Sequence, residues 1–129
     1  MAACSKWQND LILDAALDYI ATSTKMSVIS DQCTTYSQIV TVGTYELATV
    51  TMAGGDFAKS DGASNGRKTT IAQKAAITVD SSGTATGVAL GITAGTVLVF
   101  ITNCTSQALV AANTVTVPAW TITFADVTA

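Results

Sequence analysis

Residues 75–92 read "AAITVDSSGTATGVALGI", and the alternation within this stretch decides the fold class. Two runs alternate between apolar and small or polar residues, and "DSSG" at 80–83 separates them. Alternation over four to eight residues is typical of a half-buried β-strand, and a short Ser- and Gly-containing break is typical of a turn. The stretch therefore predicts two strands joined in a hairpin, with Gly83 in the left-handed conformation.

The same pattern continues on both sides of this stretch. The further runs that are β-branched and mostly alternating are "MSVIS", "TYELATVTM", "KTTIAQ", "TVLVFIT" and "TVTVPAWTITF". "TAG" at 93–95 predicts the next tight turn. The segment "VLVFI" at 97–101 is apolar at consecutive positions, which predicts a central strand covered on both faces.

In the last predicted strand, the apolar residues change from odd-numbered to even-numbered positions at Pro118 and Ala119. One extra residue in a bulge would restore the alternation, and proline in a strand also requires an edge or a bulge. We therefore expect one bulged strand over residues 114–124.

An N-terminal helix precedes the strands. Ser5 and Gln8 fit a capping box, so the helix is expected to span residues 6–22 approximately. At 100° per residue, one side is expected to pack on the core. That side is formed by Ile12, Leu13, Ala16, Tyr19 and Ile20.

The opposite side of the helix combines acidic and apolar residues. It carries Asp10, Asp14 and Asp18 at four-residue spacing, with Trp7, Leu11 and Leu17 beside them. A solvated polar face explains the aspartates but not the apolar residues. The alternative is a second contact surface that meets a basic patch on a partner. The predicted interface residues on the helix are Trp7, Leu11, Asp14, Leu17 and Asp18.

These patterns predict a mainly β, single domain over residues 1–129. The expected architecture is an antiparallel β-sandwich or flattened barrel of seven to eight strands with one N-terminal α-helix. The β body is expected over residues 26–126 approximately. A long loop is expected at 53–66, because "AGGDFAKSDGASNG" is too rich in glycine and charge for a strand.

Composition narrows the class of partner. Charged residues make up 12% of the chain, about half of the usual fraction, which favours a protein that packs against neighbours. Six basic residues and a formal charge of −3 argue against nucleic acid as a partner. No apolar run is long enough to span a membrane. The first residues lack the pattern of a signal peptide, so synthesis in the cytoplasm is expected.

The chain offers little for catalysis. It contains no histidine, which removes the commonest general base, and we expect no enzymatic activity, no cofactor and no small-molecule substrate. No metal site is expected either. The segment "DGASNGRKTT" at 61–70 differs from a nucleotide-binding P-loop, since Arg67 interrupts the required glycine spacing. Arg67 and Lys68 are instead expected at the rim of the protein, in solvent or against an acidic partner surface.

Three cysteines are present, an odd number without metal-ligand spacing. One interpretation is that Cys4, Cys33 and Cys104 are reduced and mostly buried. The other is that one of them forms a disulfide with a neighbouring subunit after release into an oxidising medium.

An ordered set of phrases resembles a known family. They are "LDAALDYIATSTKMSVISDQCTTYSQ", "TYELATVTM", "DGASNGRKTTI" and "ITVDSSGTATGVAL", which together cover most of residues 10–92. This order is similar to that in small structural virion proteins of tailed bacteriophages, of the head decoration or cement type. The resemblance implies a non-enzymatic protein that binds and stabilises the phage head lattice.

The same resemblance implies partners and a location. The partners would be the major capsid protein and further copies of this chain, and the location would be the virion. Two alternatives are a tail or connector subunit and a glycan- or receptor-binding module of a fibre. The second would use the 53–66 loop with Tyr36 or Tyr45.

Overall fold

The structure is a computed structural model in which residues 9–62 and 66–125 are described. Two helices are present in this part of the chain, α1 (Asp10–Ile20) and α2 (Tyr36–Val40), and a 3₁₀ turn spans Gly54–Asp56. The strands are β1 (Lys25–Ile29), β2 (Glu46–Thr51), β3 (Phe57–Asp61), β4 (Arg67–Ile71), β5 (Lys74–Thr78), β6 (Gly83–Ile92), β7 (Val97–Leu109), β8 (Thr114–Val117) and β9 (Trp120–Phe124).

The strands form three antiparallel sheets. The largest has the order β2-β1-β6-β7, a second has the order β3-β4-β9, and β5 pairs with β8 in the third. The main hydrophobic core lies between them and includes Leu17 from α1, Val28 from β1, Leu90 from β6 and Ile122 from β9. The predicted mainly β, sandwich-like fold with an N-terminal helix is confirmed, with nine strands in the described residues instead of the seven to eight expected.

The short helix α2 is a feature that the sequence analysis missed. It covers the other face of the largest sheet, where Ile29, Cys33, Ile39 and Ala89 form a second core cluster. The Ser27 hydroxyl donates to the Ile39 carbonyl oxygen at 2.5 Å and ties α2 to β1. Thr35 and Gln38 form a capping box at its start. That Thr-x-x-Gln spacing was the available signal.

The predicted hairpin at 80–83 is wrong. β5 pairs with β8, and β6 pairs with β1 and β7. The chain therefore changes sheets at this point, and Gly83 is not at a positive φ. An added Cβ at Gly83 would lie 2.9 Å from Leu47 Cδ2, so a larger residue there would require the Leu47 side chain to shift. The predicted turn at 93–95 is confirmed by the β6–β7 connection, where Gly95 has a φ of 84°.

The predicted loop at 53–66 is also wrong over most of its length. Residues 57–61 form β3, which pairs with β4. The preceding 3₁₀ turn is held by Asp56, whose carboxylate accepts from the Ala53 amide at 2.8 Å and contacts Lys74 Nζ at 2.9 Å. The charged residues that argued against a strand make contacts within the chain, so their charges do not oppose strand formation.

Two expectations about β7 and the last strand are corrected. β7 lies at the end of its sheet rather than at the centre, and β1 and β6 are the strands covered on both faces. The segment expected to form one bulged strand forms two, β8 and β9, in different sheets. Proline lacks the N–H that a continuously paired strand would use at this position. Because the chain changes sheets at Pro118 and Ala119, no strand-pairing hydrogen bond from residue 118 is needed.

Candidate protein-binding surface

Helix α1 begins later than its sequence predicted. Asn9 is extended and its side-chain oxygen accepts from the Leu11 amide at 2.9 Å, so Asn9 caps the helix. The predicted capping box of Ser5 and Gln8 lies outside the described residues. The helix then runs from Asp10 to Ile20. The predicted residues Trp7 and Cys4 lie outside the described residues.

The inward face of α1 differs from the predicted one. Leu13, Leu17 and Ile20 are buried, at positions i, i+4 and i+7 of the helix. Leu17 is 0% exposed and belongs to the main core, so its predicted place in a partner interface is wrong. Ile12, Ala16 and Tyr19, which were expected to face the core, are exposed.

Two ion pairs join α1 to the β3–β4 hairpin in this orientation. Arg67 Nε on β4 lies 2.8 Å from Asp14 Oδ1, and a second nitrogen of the same guanidinium contacts Asp61. Lys59 Nζ on β3 lies 2.7 Å from Asp18 Oδ1. Both aspartates therefore face the β3–β4 hairpin, and the helix buries the apolar residues on that side.

These contacts change the charges that a partner would meet. Hydrogen bonding to Arg67 holds the pKa of Asp14 below its ordinary value, and hydrogen bonding to Asp18 raises the pKa of Lys59. Asp14 and Asp18 each have a cationic partner within the chain, which reduces the negative charge that a basic partner would meet. Their attraction to such a partner stays a prediction.

An exposed apolar stripe runs along the outer side of α1. Leu11 is 71% exposed, Ile12 is 61% exposed and Tyr19 is 53% exposed. Ala15 and Ala16 lie between them on the helix and are also exposed. We call these five residues the α1 stripe. Contiguous apolar surface of this kind marks protein-binding sites more often than a solvated helix face. Of these five residues, only Leu11 was predicted from the sequence to belong to an interface.

The remaining predicted interface residues are Arg67 and Lys68 on β4. Arg67 is half-buried by its two carboxylate partners, and Lys68 is also half-buried. Both residues begin β4, as the sequence indicated. Arg67 is paired with two carboxylates of its own chain, and its predicted contact with an acidic partner stays a prediction. Lys68 makes no ion pair within residues 9–62 and 66–125.

The cysteines divide into different environments. Cys33 is a free thiol in the second core cluster and is buried, which contradicts a role in an inter-subunit disulfide. Cys104 is free and exposed on β7, so the disulfide prediction still applies to it. Burial by its neighbours raises the pKa of both thiols.

The residues suggested for glycan binding do not form a platform. Tyr36 is buried and its hydroxyl hydrogen-bonds Thr93 Oγ1 at 3.1 Å. Tyr45 is half-buried against the second core cluster. The 53–66 segment consists mainly of the 3₁₀ turn and β3. Tyr36, Tyr45 and this segment therefore provide no exposed stacking surface in the part of the chain that is described.

A buried acid is a further feature that the sequence analysis missed. Glu46 on β2 is 1% exposed, and neither of its carboxylate oxygens meets the criteria for a hydrogen bond with a described residue. Burial and then the neighbouring carboxyl of Asp80 raise the pKa of Glu46 to about 7, against the attraction of Lys25. Glu46 follows Tyr45 in an alternating run, where nothing in the sequence marks it as buried.

Metal sites and membrane-spanning helices are two further classes of feature. No group of three or more potential metal-ligating side chains occurs among the described residues. Within the same residues, neither helix has the length and hydropathy needed to cross a membrane. Comparisons with protein-family models, with curated proteins and with solved structures found no match to this chain.

Proposed function

We propose that this chain is a non-enzymatic structural protein of a phage virion, and that it decorates the head by binding the capsid lattice through the α1 stripe. The exposed apolar surface of Leu11, Ile12 and Tyr19 is the observation that carries the proposal. Such residues on a helix are costly to leave in water, and a partner surface that covers them recovers this free energy.

The ion pairs beneath the stripe support a rigid binding surface. Asp14 and Asp18 join α1 to β4 and β3, while Leu17 anchors the same helix in the core. A helix that is already fixed loses little conformational entropy when a partner binds. The stripe therefore suits recognition by a preformed surface.

The mechanism is binding in many copies. One helical stripe is small compared with a standard protein interface, so a single contact would be weak. A repeating capsid surface presents the partner site many times, and contacts among neighbouring copies add avidity. Residues 81–125 contain no Asp, Glu, Lys or Arg, which leaves a large neutral surface for such neighbours.

The experiment uses phage heads from which the protein is absent. Purified wild-type chain is added and bound protein is measured after sedimentation. The variant Leu11→Ser/Ile12→Ser/Tyr19→Ser is expected to lose at least tenfold in affinity while its thermal unfolding stays close to that of the wild type. Full binding by this folded variant would contradict the proposal.

A matched control removes apolar surface elsewhere. Val42 and Val110 are also more than half exposed but lie outside α1. The variant Val42→Ser/Val110→Ser is expected to bind heads as the wild type does. Equal loss in both variants would indicate nonspecific adhesion. If each particle holds only enough copies to form a few rings, the protein would instead belong to a tail or connector.

A further inference from the structure

A cavity opens between the largest sheet and β8. Its volume is about 380 Å³, which is within the range of small-molecule pockets. Its apolar wall includes Val28, Val88, Val115, Val117 and Trp120. The cavity lies where the chain leaves β8 for β9 at Pro118, so the change of sheet leaves the space beside β7 unfilled.

A bulge in β7 shapes the other wall. Gly87 pairs with Asn103 and Ala85 pairs with Gln107, so residues 104–106 lie opposite the single residue Thr86. Asn103, Cys104 and Gln107 all line the cavity. Bulges occur often beside binding sites, because they redirect side chains out of the regular pleat.

A close backbone approach accompanies the bulge. A Cβ at Gly87 would lie 2.8 Å from the carbonyl oxygen of Thr102, which also lines the cavity. Glycine at this position lets β6 and β7 approach next to the bulge. The pairing of β6 with β7 therefore fixes the position of this wall of the cavity.

The chemistry of the lining limits the ligand. No residue that lines the cavity is charged. A charged ligand would lose hydration against the apolar wall without gaining an opposite charge. Amide and hydroxyl groups of Asn103, Thr105 and Gln107 on one side provide hydrogen-bond donors and acceptors for a neutral polar group.

We propose that this cavity binds an uncharged small molecule with an apolar ring and a neutral hydrogen-bonding group. The ring would lie against the valines and Trp120, and its polar group would face the bulged segment of β7. This inference does not depend on the proposed virion role, because it concerns the isolated chain.

Three probes of nearly equal shape but different charge test whether the cavity binds a neutral ligand in preference to a charged one. Benzyl alcohol is neutral, benzoate is anionic and the benzylammonium ion is cationic. Each is titrated into ¹⁵N-labelled full-length protein at millimolar concentration and neutral pH. Benzyl alcohol is expected to shift amide resonances of residues 102–107, 115–117 and 119–121 in a saturable manner. Equal shifts with the two ions, or no saturable shift with the alcohol, would overturn the proposal.

A filling variant and its matched control locate the binding site. Ala85 is buried and lines the cavity, whereas Ala89 on the same strand is buried in the second core cluster under α2. Ala85→Leu is expected to keep the melting temperature and to abolish the shifts. Ala89→Leu is expected to lower the melting temperature, because there is no comparable space for the added atoms.

The thiol of Cys104 gives a second readout. In a Cys4→Ser background, benzyl alcohol is expected to slow the reaction of Cys104 with N-ethylmaleimide at least twofold, while Cys33 stays unreactive in both conditions. If Ala85→Leu lowers the melting temperature, protection of Cys104 in the unsubstituted cavity decides the question. Unchanged reactivity at saturating probe would then reject the site.

Discussion

Arg67 Nε lies 2.8 Å from Asp14 Oδ1, and this ion pair joins strand β4 to helix α1. Both side chains are mostly shielded from solvent by the helix and the hairpin that they connect. In this orientation of α1, Leu17 lies in the core while Ile12 and Tyr19 remain exposed. The ion pair therefore supports the orientation of the proposed binding surface through two residues that are far apart in the sequence.

Removal of this ion pair should destabilise the protein at neutral pH. Asp14→Asn is expected to lower the melting temperature at pH 7, since the Arg67 guanidinium loses its charged partner. The folded-state pKa of Asp14 is below its ordinary value of 3.8, so the stability that it contributes is present above that value. This contribution is lost as the pH falls through the lowered pKa.

The pH series tests this explanation. The difference between Asp14→Asn and wild type should be largest near neutral pH and should close under strongly acidic conditions. Asp10→Asn is the control, because Asp10 has no ion-pair partner among the described residues. A similar loss in both variants would show that helix charge in general, and not the Arg67 contact, is responsible.

Two leucines on α1 should have opposite roles. Leu17→Ala is expected to reduce the free energy of unfolding by about 2–5 kcal/mol, because it leaves a cavity in the core. Leu11→Ala should change it by less than about 0.5 kcal/mol, because Leu11 is exposed. Urea denaturation measures both values. Comparable losses would contradict the orientation of the helix.

Glu46 should make stability fall as pH rises. Its folded-state pKa of about 7 exceeds its ordinary value of 4.5, so the contribution of the protonated form is complete below about pH 4.5. That contribution is lost as pH rises through 7. One pKa unit corresponds to about 1.4 kcal/mol. Because the buried Gln amide would also lack hydrogen-bond partners, which offsets part of the gain, we expect Glu46→Gln to gain about 1–2 kcal/mol at pH 8.

Denaturation at several pH values checks this prediction. The Glu46→Gln variant should show a flatter dependence between pH 5 and pH 8 than the wild type. Asp80→Asn should reduce the dependence in part, because the Asp80 carboxyl is the second cause of the raised pKa. A wild-type curve that rises with pH over this interval would refute the assignment to Glu46.

Gly87 should not tolerate a side chain. In Gly87→Ala the new Cβ would lie 2.8 Å from the Thr102 carbonyl oxygen, and backbone atoms in a paired strand cannot move as freely as the end of a side chain. A loss of about 1–3 kcal/mol in the free energy of unfolding is expected. Gly55→Ala, where no atom lies within 4 Å of the added Cβ, is the matched control and should be close to neutral.

The alternating pattern predicted the class of structure because a strand with one buried face needs apolar residues at every second position, and this spacing is visible within each short segment. "KTTIAQ" and "TYELATVTM" both contain strands, and "TAG" at 93–95 contains a turn. Pairing partners were harder to predict. "AAITVD" and "TATGVALGI" are adjacent in the sequence, yet β5 pairs with β8, because long-range packing decides which edges meet.

The candidate site was predicted only in part. Leu11 was identified from its position on a helix with two apolar sides, but the sequence alone did not show which side faces the core. Lys59 and Asp61 were read as loop residues, and their pairing with Asp18 and Arg67 is visible only after the β3–β4 hairpin has formed. Charge that is satisfied inside the fold looks the same in the sequence as charge that faces water.

By itself the sequence determined the strands, the helix and the shortage of charge, since these follow from local periodicity and composition. Tertiary structure decided three further properties: the partner of β5, the rotation of α1 and the cavity beside β7. Each depends on segments distant in the chain that come together, such as Asp14 with Arg67 or Ile77 of β5 with Val115 of β8. Such contacts stabilise the protein only when the segments are packed together, so a local sequence pattern does not predict them.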